Sequence, residues 1–144
     1  MACLQMILAA RGEPVPPLPE LGRRCMRHGG YEDRPFGPLI YAGFVAFAAA
    51  ELGIEARVAA PLDLARLREA VAGDEVVLAS VSSEIRDLPA APTRRGGHLV
   101  LVFDADGERL RFHDPAGERG RWLAVGDFEP FFAGRGIAVA LPRA

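Results

Sequence analysis

The chain has 144 residues, half of them hydrophobic and a quarter charged, with a formal net charge of −2. That size and balance fit a single soluble domain burying about 70% of the surface its unfolded chain would expose, and they exclude a disordered or fibrous protein. The polar inventory excludes more: there is no Lys and no Asn, one Gln (Gln5), one Thr (Thr93), two Cys and three His. A Schiff-base lysine, a P-loop lysine and a Cys-His-Asn triad are out of reach, so any chemistry falls to Cys, His, Asp, Glu, Ser, Tyr or Arg.

The basic residues are all Arg and are scattered, so no nucleic-acid footprint is expected. Cys3 and Cys25 are too few for a disulfide scaffold and are read as reduced thiols. The start of the chain lacks the positive region and cleavage site of a signal peptide. The longest uncharged run, residues 35–50, is broken by Gly37 and Pro38 and falls short of the roughly 18 residues of a membrane span. A cytoplasmic location, no membrane and no cofactor or metal are the expectations.

In chain order, residues 3–11 read as a short buried helix stopped by Gly12, and 13–19 as a rigid proline-rich connector. A helix is expected over 20–28, ending at Gly29-Gly30, and a more apolar one over 39–52, ending at Gly53. A strand over 54–59 precedes an amphipathic helix opened by Pro61-Leu62-Asp63, with Leu64, Leu67 and Val71 on one face. The β-branched run 76–82 reads as a strand and 83–95 as a loop. Strands over 99–103, 108–112, 121–125 and 137–141 follow, with a helical turn at 127–132. Helices first and strands later argue for an α+β domain covering 1–144, a helical layer packed on an antiparallel sheet.

Between two apolar strands, Asp104-Ala105-Asp106-Gly107-Glu108 suits a three-residue hairpin loop with Gly107 left-handed. Pairing Asp104 with Glu108 sets His98 opposite Asp114, on the face that also carries Val100, Val102, Leu110 and Phe112. Cross-strand partners have Cβ atoms about 4.5–5.5 Å apart, close enough for a carboxylate to hold an imidazole N–H. A His oriented by an Asp is two thirds of a nucleophilic triad, although the same pair also occurs as a plain hydrogen bond at a strand end. Cys3 is the leading nucleophile, since a helix start and an adjacent imidazolium favour a thiolate. Cys25 and His28 are read as helix packing and a helix-end cation, and Trp122 and Tyr41 as core or cleft wall.

Cys3-Leu4-Gln5-Met6-Ile7-Leu8-Ala9-Ala10-Arg11-Gly12, then Gly97-His98-Leu99-Val100-Leu101-Val102, then His113-Asp114-Pro115-Ala116, resembles the papain-like peptidase C39 family and its C39-like relatives. The segment from Leu64 through Val81 and the closing Asp127-Phe128-Glu129-Pro130-Phe131-Phe132 follow the same order. The resemblance implies a papain-like cysteine peptidase fold with its site in a groove between helices and sheet. Cys3 would be the nucleophile, His98 the general base and Asp114 its orienter, with a thioester intermediate on a peptide or acyl substrate. Gly97 and Arg95, beside His98, are expected at the substrate. The family's usual Gln upstream of the Cys has no counterpart in Met1 or Ala2, and Gln5 lies after Cys3 on a different side of the helix. A hole lacking one donor loses about 10²–10³ in rate, unless another group supplies it or the start is truncated. Two further classes are carried: an acyltransferase or peptide ligase of natural-product tailoring that uses the same thioester, and a non-catalytic peptide-binding module.

Overall fold

The computed structural model describes residues 1–141, and residues 142–144 of the expected domain lie outside the described residues. Three helices come first. α1 (Ala2–Ala10) is built mainly of strong helix formers and stops where Gly12 takes φ +70° and the Glu13 N–H returns to the Leu8 carbonyl. α2 (Leu18–Arg27) carries Pro19 and Glu20 in its first turn and Arg24 and Arg27 in its last, as the helix dipole favours. α3 (Tyr41–Leu52) ends at a left-handed Gly53. It crosses the end of α2 so closely that a Cβ on Gly43 would run into the Gly29 carbonyl, and only glycine fits there.

β1 (Ala56–Ala59) leads to α4 (Leu64–Ala72), whose N-cap Asp63 accepts from the Arg66 N–H at 2.8 Å. β2 (Glu75–Val81) follows, then a 3₁₀ turn (Ser83–Arg86) capped by Ser82, and then β3 (His98–Ala105), β4 (Arg109–His113) and β5 (Arg121–Ala124). α5 (Val125–Phe128) and a second 3₁₀ turn (Glu129–Phe131) precede β6 (Phe132–Ala140). The sheet runs β1-β6-β2-β3-β4-β5 and is antiparallel throughout. β6 starts before the strand expected at residue 137, because Ala133-Gly134-Arg135-Gly136 carries no hydrophobic alternation to read. There β6 bulges against β2 between Ala79 and Val81.

The fold is α+β, as expected, but helices cover both faces of the sheet rather than one. Val77, Ala79 and Val81 of β2 pack with Val100, Val102, Leu110, Phe112 and α4. Val76 and Leu78, on the opposite face of the same strand, pack with Leu101, Ile137, Val139 and α1–α3. A strand buried on both faces reads as a continuous apolar run, the pattern of β2.

The β3–β4 hairpin departs from the expected register. Ala105 pairs with Leu110 and Asp104 with Arg111, Phe103 forms a bulge, and Val102 then pairs with Phe112 and Leu101 with His113. Nor is Gly107 left-handed. The Asp106 side chain makes the turn instead, its Oδ1 accepting from the N–H groups of Glu108 and Arg109 at 3.0 and 2.7 Å. The bulged Phe103 stacks on His113 with ring centroids 4.4 Å apart. Beyond the bulge the offset from the expected register is two residues, so the buried face holds Val100, Val102, Leu110 and Phe112 as expected.

Candidate active site

Cys3 lies in the first turn of α1 and is 3% exposed, with its Sγ donating toward the Leu99 carbonyl at 3.6 Å. The first helical return bond runs from the Gln5 N–H to the Met1 carbonyl, which leaves the Cys3 N–H without an intrahelical acceptor. Burial pushes the Cys3 thiol up to about 12, and the Asp114 charge acts in the same direction. The shift runs against the thiolate expected at a helix start, because desolvation is its largest cause.

His98 opens β3, opposite Val81 of β2. Its Nε2 lies 2.7 Å from Asp114 Oδ1. Continuing the β3–β4 register past His113 sets Asp114 opposite Val100, so the pair meets on the diagonal and not directly across. An ionised carboxylate only accepts, so the proton of this hydrogen bond sits on Nε2 and the Nδ1 lone pair is left as the basic atom.

Asp114 is 4% exposed and fully engaged. Oδ1 also accepts from the Ala116 N–H at 3.0 Å, and Oδ2 accepts from Arg86 Nε at 3.1 Å. Burial alone would raise this carboxyl, but the hydrogen bonds from His98, Ala116 and Arg86 and the His98 charge hold it below the usual Asp range. Arg86 Nη2 also comes within 3.4 Å of His98 Nε2. Sequence reasoning missed Arg86, which lies inside a stretch read as loop; the Ser82 cap of its 3₁₀ turn was the available signal.

Cys3, Gly97 and His98 line one groove of about 660 Å³, walled by Tyr31, Phe36 and Tyr41 from the α2–α3 side and floored by Leu78, Ser80 and Leu99. Gly97 reaches the groove at φ +95°. Arg95 turns elsewhere, its Nη1 donating to the carbonyls of Glu129 and Phe132 at 3.1 and 3.3 Å. Gln5 Nε2 donates to the Pro16 carbonyl at 3.0 Å and so ties α1 to the connector. Cys25 is wholly buried, and His28 Nε2 lies 2.7 Å from Glu51 Oε2 at the end of α2. Among the described residues no group of three or more His, Cys, Asp or Glu could hold a metal ion, and no helix is long and apolar enough to cross a membrane.

An α+β chain whose helical half brings a cysteine to the edge of an antiparallel sheet bearing a His-Asp pair has the architecture of the papain-like cysteine peptidases. Its fold is that of the C39-like peptidases within that class. A Bacillus anthracis protein described as a C39-like peptidase superposes with a TM-score of 0.66 at 15% identity, covering 99% of this chain and 88% of that one. The peptidase domain of Streptococcus ComA, a bifunctional ABC transporter involved in a quorum-sensing pathway, gives a TM-score of 0.67 at 15% identity, covering 97% and 88%. No sequence-family model matches the chain, and no curated protein matches it.

Proposed function

We propose that the chain is a cysteine hydrolase that cleaves a peptide or related acyl substrate through Cys3, His98 and Asp114. The observation that carries the reading is the His98–Asp114 hydrogen bond at 2.7 Å, on a groove whose wall also includes Cys3. Peptidase-type chemistry is further supported by the fold shared with two peptidases.

Because the resting thiol is protonated, His98 acts as a true general base. Its Nδ1 takes the Sγ proton as sulfur attacks the substrate carbonyl carbon, and Asp114 holds the ring and stabilises the imidazolium that forms. The Cys3 N–H donates to the developing oxyanion. Collapse expels the leaving amine, which takes the proton from His98, and leaves a thioester on Cys3. Water, deprotonated by His98, then attacks the thioester, releasing the acid and restoring the thiol. This chemistry needs Cys3 reduced, which fits the cytoplasmic location expected from the sequence.

The test is mapping of a thiol-reactive acyl probe by mass spectrometry, together with turnover of a peptide pool. Label is expected on Cys3, lost in Cys3→Ala and strongly reduced in His98→Ala. Label on Cys25 alone, or no acylation of Cys3 and no cleavage, would overturn the reading.

A further inference from the structure

The floor of the groove holds an unexplained polar group. Ser80 lies in β2, directly across from Leu99, whose carbonyl receives the Cys3 thiol. It follows Val76 and Leu78 on the face turned toward α1–α3, where an apolar side chain is otherwise the rule. The residue is 2% exposed, it lines the groove, and its hydroxyl has no hydrogen-bond partner among the described residues. A hydroxyl with no protein partner on the floor of an open groove is free to donate to a polar atom of a ligand.

A cation stands beside it. Arg135 belongs to the bulged stretch of β6 opposite Ser80, in phase with Ile137 and Val139 of the same face. A Cβ placed on Gly96 would lie 2.9 Å from the Ala133 Cβ, 3.0 Å from Ser80 Oγ and 3.1 Å from Arg135 Nη2, so the hydroxyl and the guanidinium are neighbours beside a glycine at φ +80° that puts no side chain between them. Arg34 lines the same groove from the loop between α2 and α3. Neither the Arg34 nor the Arg135 guanidinium makes an ion pair or hydrogen bond among the described residues, and no described residue lining the groove is acidic. A hydroxyl beside a guanidinium on the groove, with a second guanidinium on the rim and no acid in the described lining to neutralise them, is the donor set of a carboxylate site.

We infer that Ser80 and Arg135, with Arg34 at the rim, form a carboxylate-recognising subsite in the groove of Cys3, making the substrate an anionic acyl or peptide compound. The inference rests on Cys3 facing the substrate, as proposed above, and it specifies what that substrate carries. Two sources share the chemistry, an acidic side chain near the scissile bond and a free C-terminal carboxylate. Ser80 supplies the short hydrogen bond, Arg135 the charge, and Arg34 attraction on approach.

The experiment alkylates Cys3 with matched pairs of iodoacetyl probes and reads the site by peptide mass spectrometry. Iodoacetyl-glycine against its amide tests a terminal carboxylate, and iodoacetyl-aspartate amide against iodoacetyl-asparagine amide tests a side chain. Each charged-to-neutral rate ratio is normalised to that of free cysteine. At least one pair is expected to favour the charged probe about tenfold at Cys3. Ser80→Ala and Arg135→Gln should each abolish most of that preference. Ser80→Ala changes no charge, so loss there separates a hydrogen-bonding subsite from a diffuse positive field. Equal normalised ratios for both pairs in the wild type, or a preference that survives both substitutions, would overturn the inference. If the preference is found but no substrate is ever acylated at Cys3, the subsite stands and the hydrolase reading falls.

Discussion

Arg86 reaches from a 3₁₀ turn before the proline-containing loop to donate, through Nε, to Asp114 Oδ2 at 3.1 Å. It takes the carboxylate oxygen that His98 leaves free, and it does so from a side chain still about one third exposed. Arg86 is thus a positioning residue for the His-Asp pair.

Arg86→Ala should lower kcat/KM by about ten- to a hundredfold, the scale of a small loss of alignment in a preorganised site. Because this guanidinium helps hold the Asp114 carboxyl down, its removal should also move the acidic limb of the pH–rate profile to higher pH. A uniform loss of rate with no change in the profile would reduce Arg86 to a structural role.

The buried Cys3 thiol should be slow to alkylate at neutral pH. With its titration displaced from 9.0 to about 12, the rate with iodoacetamide should climb throughout pH 7–10 without a plateau. A plateau near neutrality would mean that Cys3 rests as a thiolate paired with His98.

Asp114 ties stability to acid. Its folded-state pKa is depressed, so its contribution is present above the unfolded value of 3.8 and is lost as pH falls through the folded one. In urea titrations Asp114→Asn should be markedly less stable than wild type at pH 6, and the gap should narrow steadily below about pH 4.

Gln5 provides a counter-test of the oxyanion site. Its amide is committed to the Pro16 carbonyl, so Gln5→Ala should cost about 1 kcal/mol of stability and leave kcat within about twofold. A loss of a hundredfold or more in kcat would place the amide at the reacting carbonyl instead.

Gly43→Ala should destabilise the fold by about 1–3 kcal/mol, because the added methyl must push α3 away from the Gly29 carbonyl. The loop between these helices carries Tyr31 and Phe36 of the groove wall, so the KM of a groove-bound peptide should rise as well.

Most of the elements are legible in the sequence because each is written locally. Asp63 before Leu64, Gly53 after Leu52 and the apolar run of β2 are signals that neighbouring residues carry alone. The hairpin register is not legible, since the Asp106 side chain builds a turn that a Gly107-centred reading overlooks, and Phe103 bulges to stack on His113. Even so, the two-residue offset keeps side chains on their expected faces, and the diagonal still brings carboxylate to imidazole. Arg86 acts only through Asp114, and Ser80 acquires its meaning only once β2 is known to lie between β3 and the bulge of β6. No local pattern encodes either. The raised pKa of the Cys3 thiol is not legible for a related reason: helix position is visible in sequence, and depth of burial is not.

The Cys3 thiol and the Leu99 carbonyl that receives it are separated by 96 residues of chain. As the polypeptide is synthesised, Cys3 emerges before β3 and β4, and it has neither its carbonyl acceptor nor the His98–Asp114 pair beside it until those strands have been made and docked. Closing so long a loop precedes any reward from the contacts it forms, so the site depends on the non-local contacts of the fold and not on the helices alone. Chemistry at Cys3 is therefore a report on completed folding, and a partly folded chain, however helical its first half, carries only an ordinary exposed thiol.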